Sequence, residues 1–573
     1  MKSRSQVKGA PAPALNSGSP RAASSSSKFQ FDSNPLWCRA IVPGFIAIVA
    51  FLVYYPSLES RWTDTDDIQL IVEDARFLTT GSAIPDAFER PFFPAGGIGK
   101  RYYRPLITAS FMADSGHEGT PLPGPFHMTN ALLHALSSVL VFFLARCLVS
   151  RLELAGTAAL LFAVHPAAVQ SVAWVPGRSD GLMAVFALAS VLAWVNFDRS
   201  SSRSALGSHL SLLAAALLSK ETAIAVVPVA VSYSLLVTRR YERVRSRLVW
   251  LGWLVTVSAW LALRTSQLGG LGSETGVATV LRNVPTLLVG IGKLLVPVDL
   301  AVLATMRDSA WWPGCVALLM LTSAAMWMRD ERRRFFIWAA IILPLLLLAP
   351  TLAVADFLIL DNRLYLPLVG IALAVAVFAE QVLVFFANSK KMLYPCLVIA
   401  IVALAMRSVQ YARAFESPRS FCEAAVAGSP HLALAHVNLG STEFRDGHFE
   451  AAEQQFRHAI AIDPRWPVAH NDLGLLYLNR GQLTQAESEF TIELSNNPDY
   501  PKAHFNLGLV LIRTGREEAA RFHFERVVQF VPSDTAAWGE LLKYWSTRDP
   551  SRANEIMAKM QKLGVRFFSP NES

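Results

Sequence analysis

The chain has 573 residues, 53% of them hydrophobic and 17% charged, against roughly 25% charged residues in an ordinary soluble domain. A globule of that composition has too little polar surface to face water. A soluble enzyme, a disordered chain and a fibre are therefore excluded, leaving an integral membrane protein with a soluble appendage. The net charge of +8 reads as membrane topology, with no nucleic acid as partner, and the five cysteines show no CxxC pair or disulfide framework.

Residues 1–40 are rich in Ser, Ala and Pro, carry Lys2, Arg4, Lys8, Arg21 and Lys28, and read as a disordered basic cytoplasmic tail. The first apolar run, 41–58, lacks a small-residue cleavage site and reads as an anchor rather than a signal peptide. Further apolar runs recur at 127–149, 153–172, 182–198, 205–219, 222–238, 247–264, 310–328, 335–354, 364–387 and 392–410. A spanning helix takes about 20 residues, so these make eleven candidate spans. A twelfth run, 280–297, is interrupted by Pro285, Lys293 and Pro297.

Short loops rich in Arg and Lys stay in the cytoplasm. Such loops hold Arg146/Arg151, Arg199/Arg203, Arg239 to Arg247, Arg329 to Arg334 and Lys390/Lys391. All five fall on one side only if 280–297 does not span, which predicts eleven spans, the N-terminus inside and the C-terminus outside. The membrane region is then 41–411, with an outer loop at 59–125.

Residues 412–573 repeat themselves. Gly440, Gly474 and Gly508 are 34 residues apart, and so are Pro430, Pro464, Pro498 and Pro532; Ala452, Ala486 and Ala520; Phe456, Phe490 and Phe524. That period is the signature of tetratricopeptide (TPR) repeats, each a helix–turn–helix. Full repeats are predicted at 433–466, 467–500 and 501–534, with capping segments on either side. The fold class is thus all-α: a polytopic helix bundle followed by an α-solenoid. Such solenoids bind peptides or protein surfaces; bracing the membrane domain is the alternative role.

Polar residues at span ends are costly and mark functional positions. In the predicted topology those outside the basic loops share the outer side. The outer loop carries Asp64, Asp66, Asp67 and Tyr102-Tyr103-Arg104-Pro105. His127 and Asn130 open the second span, and His165-Pro166 precedes Gly177-Arg178-Ser179-Asp180. Lys220-Glu221 joins the fifth and sixth spans, and Asp361-Asn362-Arg363-Leu364-Tyr365 begins the tenth. A transporter distributes its ionisable groups through mid-membrane instead.

Each residue also has a structural reading. Asp66-Asp67 suits a helix N-cap before Ile68. His127, Asn130 and His134 form a helix stripe without the i, i+4 histidine pair of a chelating site. Arg104 and Arg178 suit lipid headgroups, Lys220-Glu221 an ion pair at a tight turn, Arg363 a snorkelling span end and His165 a helix end. An Asp pair could bind a divalent metal through oxygen, but two acids do not build an octahedral site, so a metal is not predicted and no other cofactor is expected.

The segments "FHMTNALLHALSSVLVF", "LLFAVHPAAVQSVAWVPGRSDGL", "LLSKETAIAVVPVAV" and "DNRLYLPLVGIAL", in that order before the repeats, resemble the transmembrane and tetratricopeptide-containing (TMTC) protein O-mannosyltransferases of the GT-C fold. The resemblance covers roughly residues 40–540. It implies a glycosyltransferase that uses a polyprenyl-phosphate sugar donor and a protein acceptor presented by the repeats. It maps the catalytic carboxylate to Asp66-Asp67, with Asp67 taken first as general base, and "YYRPL" to Tyr103, Arg104 and Pro105. It puts Arg178 and Arg363 at the lipid phosphate, joined by Arg104 and Lys220. Tyr103, His127, Asn130, His165, Asp180, Glu221 and Tyr365 are then expected to line the substrate pocket. The short array favours a bacterial inner membrane with the repeats outside, the alternative being an endoplasmic reticulum membrane with luminal repeats. A noncatalytic membrane scaffold, and the same chemistry on a glycan or lipid, are the competing functions.

Overall fold

The computed structural model describes residues 40–79, 84–93, 102–116, 119–268, 277–297, 300–331, 333–334, 337–338, 342, 358–386 and 390–564. The expected tail, 1–40, except its last residue, and most of the expected span at 335–354 lie outside the described residues. What is described is helical, its one extended pairing being an isolated bridge between Ala304 and Ile359.

Among the described residues seven helices are long and apolar enough to cross a bilayer: Val42–Glu59, Pro123–Leu148, Val175–Ser200, Arg247–Leu268, Ala278–Leu295, Asp361–Phe385 and Lys390–Phe415. Leu152–Val164 and Pro166–Val172 make an eighth, bent by 52°. Glu221–Val237 and Trp312–Trp327 are shorter apolar helices. The bend lies in a run that reads as one continuous span from sequence. Its cause is Pro166: the residue before a proline is pushed out of the helical region, and His165 is extended, with ψ 130°.

Val42–Tyr54, Pro123–Leu148, Leu152–Val164, Arg178–Ser200, Arg203–Ser219 and Tyr365–Phe385 contribute to one apolar core. Outward faces such as Leu248, Leu251, Leu254, Val398, Ile399 and Met406 remain exposed, as expected where the neighbour is lipid. Ala278–Leu295 is long enough to span, although the sequence reading sets it aside. Its second half, Pro285–Leu295, packs on the start of Trp312–Trp327, with Gly292 and Gly314 in close approach.

The basic loops meet at one end of the bundle. The Ser150 N–H and Arg333 both reach Glu380, at 2.8 and 3.3 Å. Arg239 pairs with Glu331, Arg240 and Arg243 donate to the Asp198 carbonyl, and the Tyr394 hydroxyl donates to Glu153 at 3.0 Å. The candidate site lies at the other end.

The C-terminal region is a stack of helix pairs: Ala433–Arg445 with Phe449–Ile462, Ala469–Asn479 with Leu483–Asn496, and Pro501–Arg513 with Glu517–Phe530. Thr535–Arg548 and Pro550–Lys562 follow as the last described pair. The periodic glycines are small because Phe456, Phe490 and Phe524 press on them. A Cβ at Gly440, Gly474 or Gly508 would come within 2.6 to 2.8 Å of the ring. Ala452, Phe456, Ala486, Phe490, Ala520 and Phe524 belong to a second apolar core, while Phe421, Ala435 and Leu439 at the start of the stack join the core of the bundle.

Candidate active site

The turn after the first membrane helix is built around Asp67. Its carboxylate accepts from the Thr63 N–H at 2.5 Å, the Thr65 N–H at 2.9 Å and the Thr63 hydroxyl at 3.1 Å. The Trp174 indole N–H supports the same two threonines, 3.2 Å from each hydroxyl. Asp67 occupies the N-cap position of Ile68–Val72, yet its side chain makes no capping bond there; it closes the turn behind it instead. With 1% exposure and three bonds accepted, Asp67 holds the turn together.

Asp66 is placed differently. It is exposed, and protein crowded around its carboxyl, together with the charge of Asp67, pushes it up to about 6, with the nearby Arg104 guanidinium opposing the shift. A carboxylate poised near neutrality suits general-base work.

Arg104 precedes Pro105–Ser115 as its N-cap residue. Its guanidinium forks onto Glu221, Nη2 to Oε1 at 2.8 Å and Nε to Oε2 at 3.3 Å, and lies 4.5 Å from the Tyr102 ring centre. Next to it Asp180 bridges Lys220 Nζ at 2.6 Å and the Asn362 side-chain N–H at 3.1 Å. Arg363 lies within electrostatic reach of Tyr102, Asp180, Arg104 and Glu221. Asp66, Arg104, Asp180, Lys220, Glu221 and Arg363 thus form one charged group at the site end. Each charge in it stands near one of opposite sign, so the group is held in place before any ligand arrives.

Other expected site residues lie elsewhere. Arg178 is wholly buried, at 0% exposure, and its donors are used inside the protein. Nε donates to Asn130 Oδ1 at 2.8 Å, Nη2 to the Phe126 carbonyl at 2.7 Å, and Nη1 meets Asp114 at 2.5 Å. The guanidinium carbon lies 4.9 Å from the Phe111 ring centre and 5.3 Å from that of Phe126. Arg178 thus clamps helices together, with its donors engaged inside the protein. Asn130 is part of the clamp, also reaching the Val172 and Trp174 carbonyls at 3.2 and 3.3 Å, and His127 is buried beside it, near Arg178. Gly177 lets the clamp close, since a Cβ there would sit 2.4 Å from the Gln170 carbonyl oxygen.

His165 spends its Nδ1 accepting from the Ala167 N–H at the bend, 3.1 Å away. The Tyr103 hydroxyl donates to the Phe88 carbonyl at 3.0 Å. Tyr365 is fully buried against Phe162, its hydroxyl 2.8 Å from His134 Nδ1. All three polar groups are engaged within the protein.

Sequence reasoning missed Asp114, Asn362 as a partner of Asp180, and a buried trio: Lys293 Nζ lies 2.7 Å from Asp361 Oδ1, whose Oδ2 accepts from the Tyr411 hydroxyl at 3.2 Å. The lysine that interrupts 280–297 thereby anchors the segment bearing Asn362 and Arg363. A charge in an apolar run was the available signal, but its partner was not. Among the described residues no group of three or more His, Cys, Asp or Glu is arranged to hold a metal ion.

A family model described as dolichyl-phosphate-mannose-protein mannosyltransferase matches residues 125–263, and tetratricopeptide-repeat models match 433–465 and 471–535. Protein O-mannosyl-transferase Tmtc2 of Drosophila melanogaster is 32% identical over 191 residues, 31% of this chain and 20% of that protein. Human protein O-mannosyl-transferase TMTC4 is 31% identical over 233 residues, 36% of this chain and 30% of that protein. Protein O-mannosyl-transferase F38B6.6 of Caenorhabditis elegans is 24% identical over 378 residues, 62% of this chain and 53% of that protein. The matches therefore span between 20% and 53% of these relatives' length. A mannosyltransferase-type membrane region followed by tetratricopeptide repeats, similar to these relatives, makes this chain a TMTC-like protein.

Proposed function

We propose that the chain is a multi-pass membrane glycosyltransferase that moves a mannose-like sugar from a polyprenyl-phosphate donor to hydroxyl groups of proteins on the side of the membrane opposite the basic loops. The observation that carries the reading is the gathering of Asp66 with Arg104, Glu221, Arg363, Asp180 and Lys220 at one end of the bundle. The relatives named protein O-mannosyl-transferases supply the sugar and the acceptor class. Residues 41–411 are taken as the transfer domain and 412–573 as the acceptor-recruiting array. The positive-inside bias favours cytoplasmic basic loops.

In this mechanism the lipid donor enters sideways from the bilayer and its phosphate meets Arg363, with Arg104 and Lys220 behind it. The acceptor hydroxyl approaches on the Asp66 side. As its oxygen bonds to the anomeric carbon, the proton passes to Asp66 and the bond from that carbon to the phosphate oxygen breaks. The electron pair leaves with the phosphate, where the cations stabilise it. One direct displacement inverts the anomeric configuration. Asp67 serves by holding the turn.

The test is transfer from polyprenyl-phosphate mannose to acceptor peptide by the purified protein in lipid nanodiscs, read as a hexose mass increment. Wild type is expected to transfer and Asp66→Asn to lose about 10²–10⁴ in rate. A wild-type protein that binds peptide and transfers no sugar would leave the scaffold reading in its place.

A further inference from the structure

Several contacts join the repeat region to the membrane bundle at the site end. The Arg61 N–H donates to the Glu416 carbonyl at 2.9 Å. Asp308 takes His431 by its backbone N–H at 3.3 Å and its Nδ1 at 2.6 Å. Arg445, the last residue of Ala433–Arg445 in the first full repeat, pairs with Asp64. Beneath these polar contacts Phe415, Phe421, Ala435 and Leu439 share the core of the bundle. Gly428 stands so close to Ala301 that a Cβ on it would come 2.5 Å from the alanine Cβ. The repeats are thus seated on the bundle.

Two of these contacts fall on the turn that carries Asp66. Arg61 is where the turn begins, and Asp64 is its sharpest point, with φ at +57°. The left-handed region is uncommon for residues other than glycine, although aspartate tolerates it better than most. Asp67 and Trp174 hold the turn from the bundle side, and Arg445 and Glu416 hold it from the repeat side. Asp66 lies between the two sets of anchors. A change of φ at Asp64 redirects the two residues that follow it, and small displacements of a reacting group cost heavily in rate.

We infer that Arg445 is a positioning residue: by pairing with Asp64 it fixes the turn in which Asp66 faces the acceptor, so the first repeat completes the transfer site as well as recruiting to it. The kinetic side of this inference rests on the glycosyltransferase reading. The coupling of repeat to turn does not, and the experiment separates the two. Full-length wild type, Arg445→Ala, Arg445→Lys, Asp64→Gly and the Asp64→Gly/Arg445→Ala double variant are compared in nanodiscs for kcat and KM toward acceptor peptide. Amide hydrogen exchange over residues 61–72 is measured in parallel.

Arg445→Ala is expected to lower kcat about three- to tenfold with KM within about twofold, and to speed exchange across the turn. Arg445→Lys keeps the charge and is expected to restore most of both. Glycine adopts the positive φ without a Cβ penalty, so in the Asp64→Gly background Arg445→Ala is expected to add nothing. Unchanged exchange with unchanged kcat in Arg445→Ala would overturn the inference, as would an effect confined to KM. Should wild type transfer no sugar, the glycosyltransferase reading fails, and exchange over 61–72 still decides whether the repeat holds the turn.

Discussion

Asp66 and Asp67 are adjacent in the chain and occupy opposite environments. The Asp67 carboxylate is folded back onto the Thr63 and Thr65 N–H groups, whereas Asp66 is exposed and coupled to Arg104. Isosteric amide substitution therefore has different consequences at the two positions. Asp66→Asn is expected to leave thermal unfolding of the purified protein unchanged while abolishing most transfer. Asp67→Asn loses charge-assisted bonds worth about 1.5–3 kcal/mol and is expected to lower the unfolding temperature. Equal losses of stability in both variants would contradict this division.

The pH dependence of transfer follows from Asp66. A base works deprotonated, and the protein crowded around the Asp66 carboxyl, with the charge of Asp67, pushes it up to about 6, Arg104 acting in the other direction. The value of kcat/KM is expected to rise with pH through about 6 and level off above it. Arg104→Gln removes the opposing charge, so the midpoint is expected to move to higher pH. A midpoint near the ordinary carboxylate range, or one that Arg104→Gln moves downward, would dissociate Asp66 from the profile.

Much of the architecture is legible in the chain because it is periodic. The 34-residue spacing of Gly, Ala, Phe and Pro reflects a contact made once per repeat, between a glycine and a phenylalanine ring. Apolar runs likewise mark helices directly. The site was legible only in its ingredients. Choosing between Asp66 and Asp67 depends on the φ of Asp64 and on two threonines, and neighbouring residue types carry no such information. The partners of Arg178, Asp114 and Asn130, are brought to it by other helices, and its own neighbours in the chain do not announce them. Lys293 reads as a defect in an apolar run until Asp361 is opposite it. The bend at His165, by contrast, was written in Pro166.

Arg178 and Arg363 are expected to part company in binding experiments. Arg178→Ala removes the buried partner of Asp114 and vacates bonds to Asn130 and Phe126. Breaking a buried pair costs about 3–5 kcal/mol, so a large loss of stability is expected, with donor affinity of the folded protein retained. Arg363→Ala is expected to weaken polyprenyl-phosphate-sugar binding about tenfold or more, the cost of one charge-assisted bond, at little cost in stability. The opposite pattern would return Arg178 to the donor site.

Within the repeats, histidines at one register differ in their partners. His436 meets Gln455 at 2.7 Å, His470 meets Glu489 at 2.6 Å, and His504 meets His523 at 2.9 Å. The bond to Glu489 holds His470 above the usual histidine range. Its stabilisation is present below the unfolded value of about 6.5 and is lost as pH rises through the folded one. Burial, with His504 alongside, pushes His523 down to about 4, so the unfolded chain takes up that proton first and stability falls between about pH 6.5 and 4. Hydrogen exchange in 501–530 is expected to accelerate on acidification over that window, and His523→Gln, which copies Gln455, is expected to suppress the effect. Acid-insensitive exchange in wild type would refute it.

The seating of Phe421, Ala435 and Leu439 in the bundle core gives the stack a polarity. In a linear array each unit is supported by its neighbours alone. Among the described residues the pair Thr535–Arg548 and Pro550–Lys562 has a neighbour on one side only, whereas the pair ending at Ile462 has the next repeat on one side and the bundle on the other. Unzipping among the described repeats therefore begins at the distal end and runs toward the membrane, and the salt bridge from Arg445 to Asp64 parts only after the pairs beyond it. Proteolytic trimming of the distal pair would shorten the reach of the array and leave the turn beside Asp66 still held.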